Sequence, residues 1–204
     1  MKLKYILSGL TFVISTLTYS QTVLDMSTTE DDFSYTKNGE YYLKDINNYL
    51  DNFVGTWTYV EGNKRFELIL EKVLFYHFQT NFSGVINDDY YTDGIKISYK
   101  QYESNILVFE SPAQSLLYLA ETKDGILLTG SFTDFNRVSY FACRGCQKAP
   151  VGHIITSLNF KISPFNSNIA SFKLGKYHLG GYNYELYQGQ PLFSVPNDVE
   201  LTKQ

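Results

Sequence analysis

The sequence contains few of the residues on which metal binding and catalysis usually depend. Among 204 residues there are three histidines, two cysteines and one tryptophan. A structural zinc site needs four ligands, and only Cys143 and Cys146 have a recognisable ligand spacing. A haem attachment site needs histidine directly after the second cysteine, where this chain has Gln147. We therefore predict no metal site and no cofactor.

Two motifs of hydrolases and nucleotide-binding proteins are also absent. There is no Gly-x-Ser-x-Gly elbow, and no glycine-rich phosphate loop precedes a helix. The adjacent acids Asp88 and Asp89 lie in a polar stretch, where we interpret them as solvated rather than as a glycosidase pair. We predict no catalytic residues and a protein that is not an enzyme.

An excess of positive charge is missing as well. Asp and Glu number 21 against 17 Lys and Arg, so the formal net charge is −4. A nucleic-acid partner would need a basic surface. The charge balance therefore excludes nucleic acid from the expected partners.

The chain has no apolar run long enough to span a bilayer, which takes about 20 residues. Residues 1–20 instead resemble a signal peptide: Lys2 and Lys4 precede a short apolar stretch, and small residues at 18 and 20 precede Gln21. We predict export to the periplasm or the exterior, with no stable membrane anchor after cleavage. Residues 21–40 then form a flexible polar arm, and residues 41–204 form a single domain.

Aromatic residues are abundant, with 18 tyrosines and 15 phenylalanines. Such residues favour strands, and apolar and polar positions alternate, as at Phe66, Leu68 and Leu70 or Ile95, Ile97 and Tyr99. Gly62-Asn63 predicts a hairpin turn, whereas residues 80–94 are predicted as a polar loop. The alternation fails over residues 73–78, which indicates a covered strand or a bend. The fold class predicted is all-β, an antiparallel lipocalin-like (calycin-type) barrel, with a β-sandwich as the alternative.

A short N-terminal helix is predicted before the first long strand. Asp45 is a suitable capping residue, and Ile46, Tyr49, Leu50 and Phe53 follow a helical apolar spacing. The helix would close one end of the barrel.

The tripeptide Gly55-Thr56-Trp57 resembles the start of the first strand in lipocalin-like barrels. In those proteins the tryptophan closes the bottom of the barrel, and a basic residue near the last strand packs over its ring. The resemblance implies closure roles for Gly55 and Trp57, with Lys203 as the basic partner.

A longer resemblance covers residues 42–57, 64–72 and 201–204. These segments are similar to a family of small secreted bacterial proteins, a domain of unknown function. The family implies no catalytic residues.

The only cysteines form Cys143-Arg144-Gly145-Cys146. In an exported chain two cysteines usually pair, so we predict a disulfide that pins a loop. A thiol-redox site is the alternative, although it would need a helix start to lower a thiol pKa.

The densest aromatic cluster lies at residues 177–187, where Tyr182 and Tyr184 share one face of a strand. They are candidates for a ligand-stacking surface. The function predicted is a non-catalytic binding module for a small apolar or glycan ligand held in the barrel mouth. The alternatives are an envelope or extracellular structural or interaction protein with a filled core, and a CxxC thiol-redox protein.

Overall fold

The computed structural model describes residues 21–27, 37–114, 116–122, 125–141, 149–175, 178–179, 182–183, 186–187, 190–191 and 193–204. The predicted signal peptide lies outside these ranges. Apart from a short 3₁₀ helix at Tyr49–Asn52, the described regular structure consists of strands. These are β1 (Thr22–Asp25), β2 (Lys37–Lys44), β3 (Gly55–Glu61), β4 (Lys64–Phe82), β5 (Val85–Glu103), β6 (Ile106–Glu110), β7 (Leu116–Thr122), β8 (Gly125–Phe141), β9 (Ala149–Ile162), β10 (Ile169–Leu174), β11 (His178–Leu179), β12 (Tyr182–Asn183), β13 (Leu186–Tyr187), β14 (Gln190–Pro191) and β15 (Val199–Lys203).

Eight of the strands close into an antiparallel barrel. Strands β3, β4, β5, β7, β8, β9, β10 and β15 pair in chain order, and β15 returns to β3. The seam between β5 and β7 is short and pairs Ile95 with Leu117 and Lys96 with Leu116. The predicted all-β barrel is confirmed, and the up-and-down order is that of a lipocalin-like fold. A sandwich would leave sheet edges where this sheet closes on itself.

The inward faces of β4 and β5 are those that the alternation predicts. Phe66, Leu68 and Leu70 are buried, and so are Ile97 and Tyr99 across the ladder. The predicted hairpin turn after β3 is also present, with Gly62 at a φ of 61°.

Strands β4 and β5 run past the barrel and form a second hairpin, which we call the arm (residues 76–82 and 85–92). The prediction of a polar loop at residues 80–94 is therefore wrong. Its acids are used in cross-strand pairs: Thr80 donates to Asp88, and Gln79 donates to Asp89. Polar residues that satisfy one another across a ladder can occupy a strand as well as a loop.

The first two described strands extend the sheet beside the arm. Strand β2 lies parallel to β5, with Tyr42 opposite Tyr91, and β1 lies parallel to β2. The polar N-terminal segment that was predicted to be flexible, residues 21–40, is distinct from this arm. Parts of it thus belong to the sheet. Their backbone groups are paired there, and Met26 is buried against the core.

The predicted N-terminal helix is a single 3₁₀ turn. The carboxylate of Asp45 accepts hydrogen bonds from the N–H groups of Tyr49 and Leu50, at 2.8 and 3.0 Å. Leu50 and Phe53 are buried as predicted, but Ile46 is 52% exposed because it lies before the helix begins.

Candidate binding site at the barrel mouth

The interior of the barrel is filled from one end by aromatic rings. At the end next to the 3₁₀ helix, which we call the closed end, Trp57 meets Phe160 at a centroid distance of 5.1 Å. Further along, Phe172 contacts Phe132 at 5.8 Å and Phe66 at 5.6 Å. Because these side chains are buried, this part of the barrel is a packed core.

A cavity of about 560 Å³ opens above this core, at the opposite end of β3, which we call the mouth. Its volume lies within the range of small-molecule sites, roughly 300–1,000 Å³. The β3–β4 hairpin, the end of β5, one residue of β6 and the loop before β15 form its walls. The lining residues are Tyr59, Glu61, Lys64, Arg65, Phe66, Gln101, Tyr102, Glu103, Val108, Phe193, Ser194, Val195, Pro196 and Asn197.

A buried carboxylate holds the loop that forms one wall of the mouth. Asp134, which is fully buried, accepts hydrogen bonds from the Ser194 N–H and hydroxyl, both at 2.6 Å. It also accepts one from the hydroxyl of Tyr99 at 3.2 Å and one from the N–H of Asn136 at 3.1 Å. A buried charge needs such partners, so the loop is fixed in place by the core.

Gln101 extends this network to the cavity surface. Its amide donates to the Ser194 carbonyl at 2.8 Å and accepts from the Asn136 side chain at 3.0 Å. Burial raises the pKa of Tyr99, and the Asp134 carboxylate raises it further. Tyr99 therefore remains a neutral donor at physiological pH, and the floor of the mouth is polar and internally bonded.

The rim of the mouth carries charges of both signs. The guanidinium of Arg65 lies 4.0 Å from the ring centre of Tyr102, and its Nε lies 3.1 Å from Glu67. Glu61 and Glu103 each face Lys64 across a ladder. Aromatic faces beside mixed polar groups can hold a ligand that has both apolar and hydroxyl-bearing surfaces.

The predicted closure residues lie together at the closed end. Lys203 pairs with Trp57 in the β15–β3 ladder, and its Nζ lies 5.3 Å from the indole centre. The ammonium also donates to the Asn52 carbonyl at 3.0 Å, while the indole N–H donates to the Phe53 carbonyl at 2.8 Å. These contacts join the 3₁₀ helix to both terminal strands of the barrel.

Gly55 fits closely beneath the same lysine. Its φ is +133°, which side-chain-bearing residues rarely adopt, and an added Cβ would lie 3.0 Å from Lys203 Cε. The backbone at the start of β3 therefore requires glycine.

The remaining predicted site residues are Tyr182, Tyr184, Cys143 and Cys146, and their side chains are not among the described parts of the structure. Tyr182 lies in the short strand pair β11–β12, opposite Leu179. Tyr184, Cys143 and Cys146 lie outside the described residues, so the stacking surface and the disulfide stay predictions. Within the described ranges no three His, Cys, Asp or Glu side chains are placed to share a metal ion. In the same ranges no helix has the length and apolarity to cross a membrane.

The mouth residues themselves were not singled out by the sequence. Tyr59 and Phe66 are in predicted strands, but nothing local distinguishes them from other inward aromatics. The hairpin at Gly62-Asn63 was the one available signal, because it fixes which end of β3 meets solvent.

These features define the class of protein: an up-and-down β-barrel with a filled core and a pocket at one open end. A family model described as a family of unknown function, DUF6705, matches residues 1–204. The chain therefore belongs to that family, as the resemblance to a domain of unknown function indicated. No curated protein and no solved structure gives a significant match.

Proposed function

We propose that this protein is an exported, non-catalytic binding module that holds a small ligand in the barrel mouth. The observation that carries the proposal is the cavity of about 560 Å³ above the filled core. Its volume suits a ligand of a few rings, and its walls come from strands and a loop that the core holds rigidly.

The character of the lining favours a glycan over a purely apolar ligand. Tyr59, Phe66 and Phe193 supply apolar faces, while the charged residues of the rim supply donors and acceptors. Sugar rings present C–H faces to aromatic rings and hydroxyl groups to polar side chains. A fatty chain would leave these polar groups without partners, which costs free energy.

Binding is favoured over turnover by the way the polar groups are used. Asp134 and Gln101 are engaged in bonds that hold the loop at Ser194 rather than presented to a reactant. Such a network gives a fixed wall, which a binding site needs. Export follows from the expected signal peptide at residues 1–20.

Calorimetric titration with a panel of neutral di- and trisaccharides, and with a long-chain fatty acid, tests this proposal. We expect a saccharide to bind. The variants Tyr59→Ala and Glu103→Ala should each lower the affinity for that saccharide by about tenfold or more. Tyr49→Ala is the matched control, since Tyr49 is also half-buried but lies at the closed end. Failure of both ligand classes to bind, or unchanged affinity in Tyr59→Ala, would overturn the proposal.

A second candidate function rests on the filled core itself. Because aromatic rings occupy the barrel up to Phe66, the fold would also suit a structural or interaction protein that holds no ligand. Absence of any ligand in the titrations, together with a stable partner recovered by crosslinking in the native compartment, would favour this function.

A further inference from the structure

A β-bulge in β4, at the closed end, presents large apolar side chains to solvent. Leu74 and Phe75 together oppose the single residue Asp93, because Val73 pairs with Gly94 and Tyr76 with Thr92. The extra residue breaks the alternation of faces. As a result, three consecutive large hydrophobic residues are exposed: Leu74 by 62%, Phe75 by 48% and Tyr76 by 37%.

The backbone at this bulge is held in an uncommon conformation. Phe75 has a φ of 54°, in the left-handed region that bulky residues seldom adopt. Its N–H donates to the carboxylate of Asp93 at 3.0 Å. That carboxylate is almost fully buried and also accepts from the Tyr42 hydroxyl at 2.6 Å. Strain that a buried group holds in place often marks a functional position.

A fourth exposed hydrophobic residue follows a residue that is bonded to the same carboxylate. The N–H of Asp45 donates to Asp93 at 3.0 Å, on the other oxygen of the carboxylate that holds Phe75. The next residue, Ile46, is 52% exposed. We call Ile46, Leu74, Phe75 and Tyr76 the apolar knob. The ring of Phe75 stacks on Tyr91 at 4.3 Å and meets Tyr42 edge-on at 4.9 Å, so the knob has a rigid base.

The described charges around the knob are of both signs and include more carboxylates than lysines, so the knob does not depend on anionic lipid. Lys72 binds both Asp45, at 3.1 Å, and Asp51, at 2.6 Å, and its single positive charge offsets one of these two carboxylates. The ammonium of Lys96 lies 5.9 Å from the ring centre of Tyr76. Glu71 lies opposite Lys96 in the ladder and balances it.

We propose that the apolar knob inserts into the surface of a lipid bilayer. Leucine, isoleucine and phenylalanine can enter the acyl region, whereas a tyrosine hydroxyl and a lysine ammonium are typical of the headgroup level. This division matches Leu74 and Phe75 beside Tyr76 and Lys96. The knob is at the closed end, so the mouth at the other end of the barrel stays open to solvent. This proposal does not depend on ligand binding at the mouth.

Vesicle flotation tests the proposal. The protein used is the mature form, purified from the cells that produce it. The probes are vesicles of phosphatidylcholine alone and of phosphatidylcholine mixed with phosphatidylglycerol. We expect wild-type protein to float with both, since apolar insertion does not require anionic lipid. Leu74→Glu should reduce the bound fraction by about tenfold or more, because a charge cannot enter the acyl region.

Val60→Glu is the matched control, since Val60 is also 62% exposed but lies beside the mouth. It should float like wild type, and circular dichroism should show all variants folded. Ile46→Glu serves as a second variant if Leu74→Glu does not fold. Equal binding by Leu74→Glu and wild type, no wild-type binding, or binding to anionic vesicles alone would overturn the proposal. So would self-association that Leu74→Glu abolishes, because the knob would then contact protein.

Discussion

At the scale of single residues, the closed end depends on one lysine with several roles. Lys203 pairs in the ladder with Trp57, lies over its indole ring and donates to the Asn52 carbonyl. Its side chain therefore links the last strand to the first strand and to the 3₁₀ helix. The resemblance to lipocalin-like barrels predicts this arrangement, because Gly55 and Trp57 belong to one short motif and Lys203 lies in the strand that pairs with it.

We expect Lys203→Met to destabilise the protein by about 1 kcal/mol, since the apolar stem remains while the cation over the ring and its hydrogen bond are lost. Urea denaturation at neutral pH would measure this. Lys173→Met is the control, because the Lys173–Asp198 ion pair is 60% and 72% exposed and such pairs contribute little. Equal losses in the two variants would contradict a specific role for Lys203.

At the scale of elements, the loop before β15 is held by a carboxylate from β8. Tyr99, Asp134 and Ser194 come from three separate parts of the chain and meet only when the barrel closes. No spacing in the sequence predicts such a meeting. The sequence does not predict the arm for a related reason. Its acidic residues are typical of loops, and their partners across the ladder are known only from the folded structure.

Replacing Asp134 by asparagine should loosen this loop. An amide nitrogen would face donors that now bond to a carboxylate oxygen, which we expect to cost about 1–3 kcal/mol. Hydrogen exchange should then increase at the Ser194 amide and leave the Trp57 indole unaffected. Asp88→Asn, on the arm, is the control, since its partner is the single hydroxyl of Thr80. Unchanged exchange at Ser194 would contradict the role given to Asp134.

At the scale of the whole molecule, two tyrosines make the free energy of unfolding depend on pH in the alkaline range. Burial is the main cause of a raised pKa at both Tyr42 and Tyr99, and the carboxylates of Asp93 and Asp134 add to it. The unfolded chain has ordinary tyrosines, with a pKa of about 10. Above that pH the unfolded state loses protons that the folded state keeps. Their contribution to stability is therefore complete below pH about 10 and is lost as the pH rises further.

Denaturation midpoints measured at neutral pH and above pH 10 would test this linkage. We expect wild-type stability to fall more steeply with alkaline pH than that of Tyr99→Phe or Tyr42→Phe. Tyr59→Phe is the control, since Tyr59 lines the open mouth. The same slope in wild type and all three variants would refute the linkage.

The barrel's general form could be predicted because alternation, hairpin turns and strand number are local properties. The filled interior and the pocket above it could not, since they depend on how large rings from different strands pack together. Phe66 contacts both Tyr99 and Phe172, which are far apart in the chain. Whether such rings leave a cavity is decided only by their joint packing.

The position of β15 has a consequence for how the protein is made. This strand fills the place between β3 and β10, yet it follows all the other barrel strands in sequence. The barrel therefore cannot close until β15 has been synthesised, and the pairing of β15 with β3 closes a longer loop than any other pairing in the barrel. A nascent chain that lacks β15 has no complete barrel to unfold. Such a chain could still pass through a narrow pore in an unfolded state.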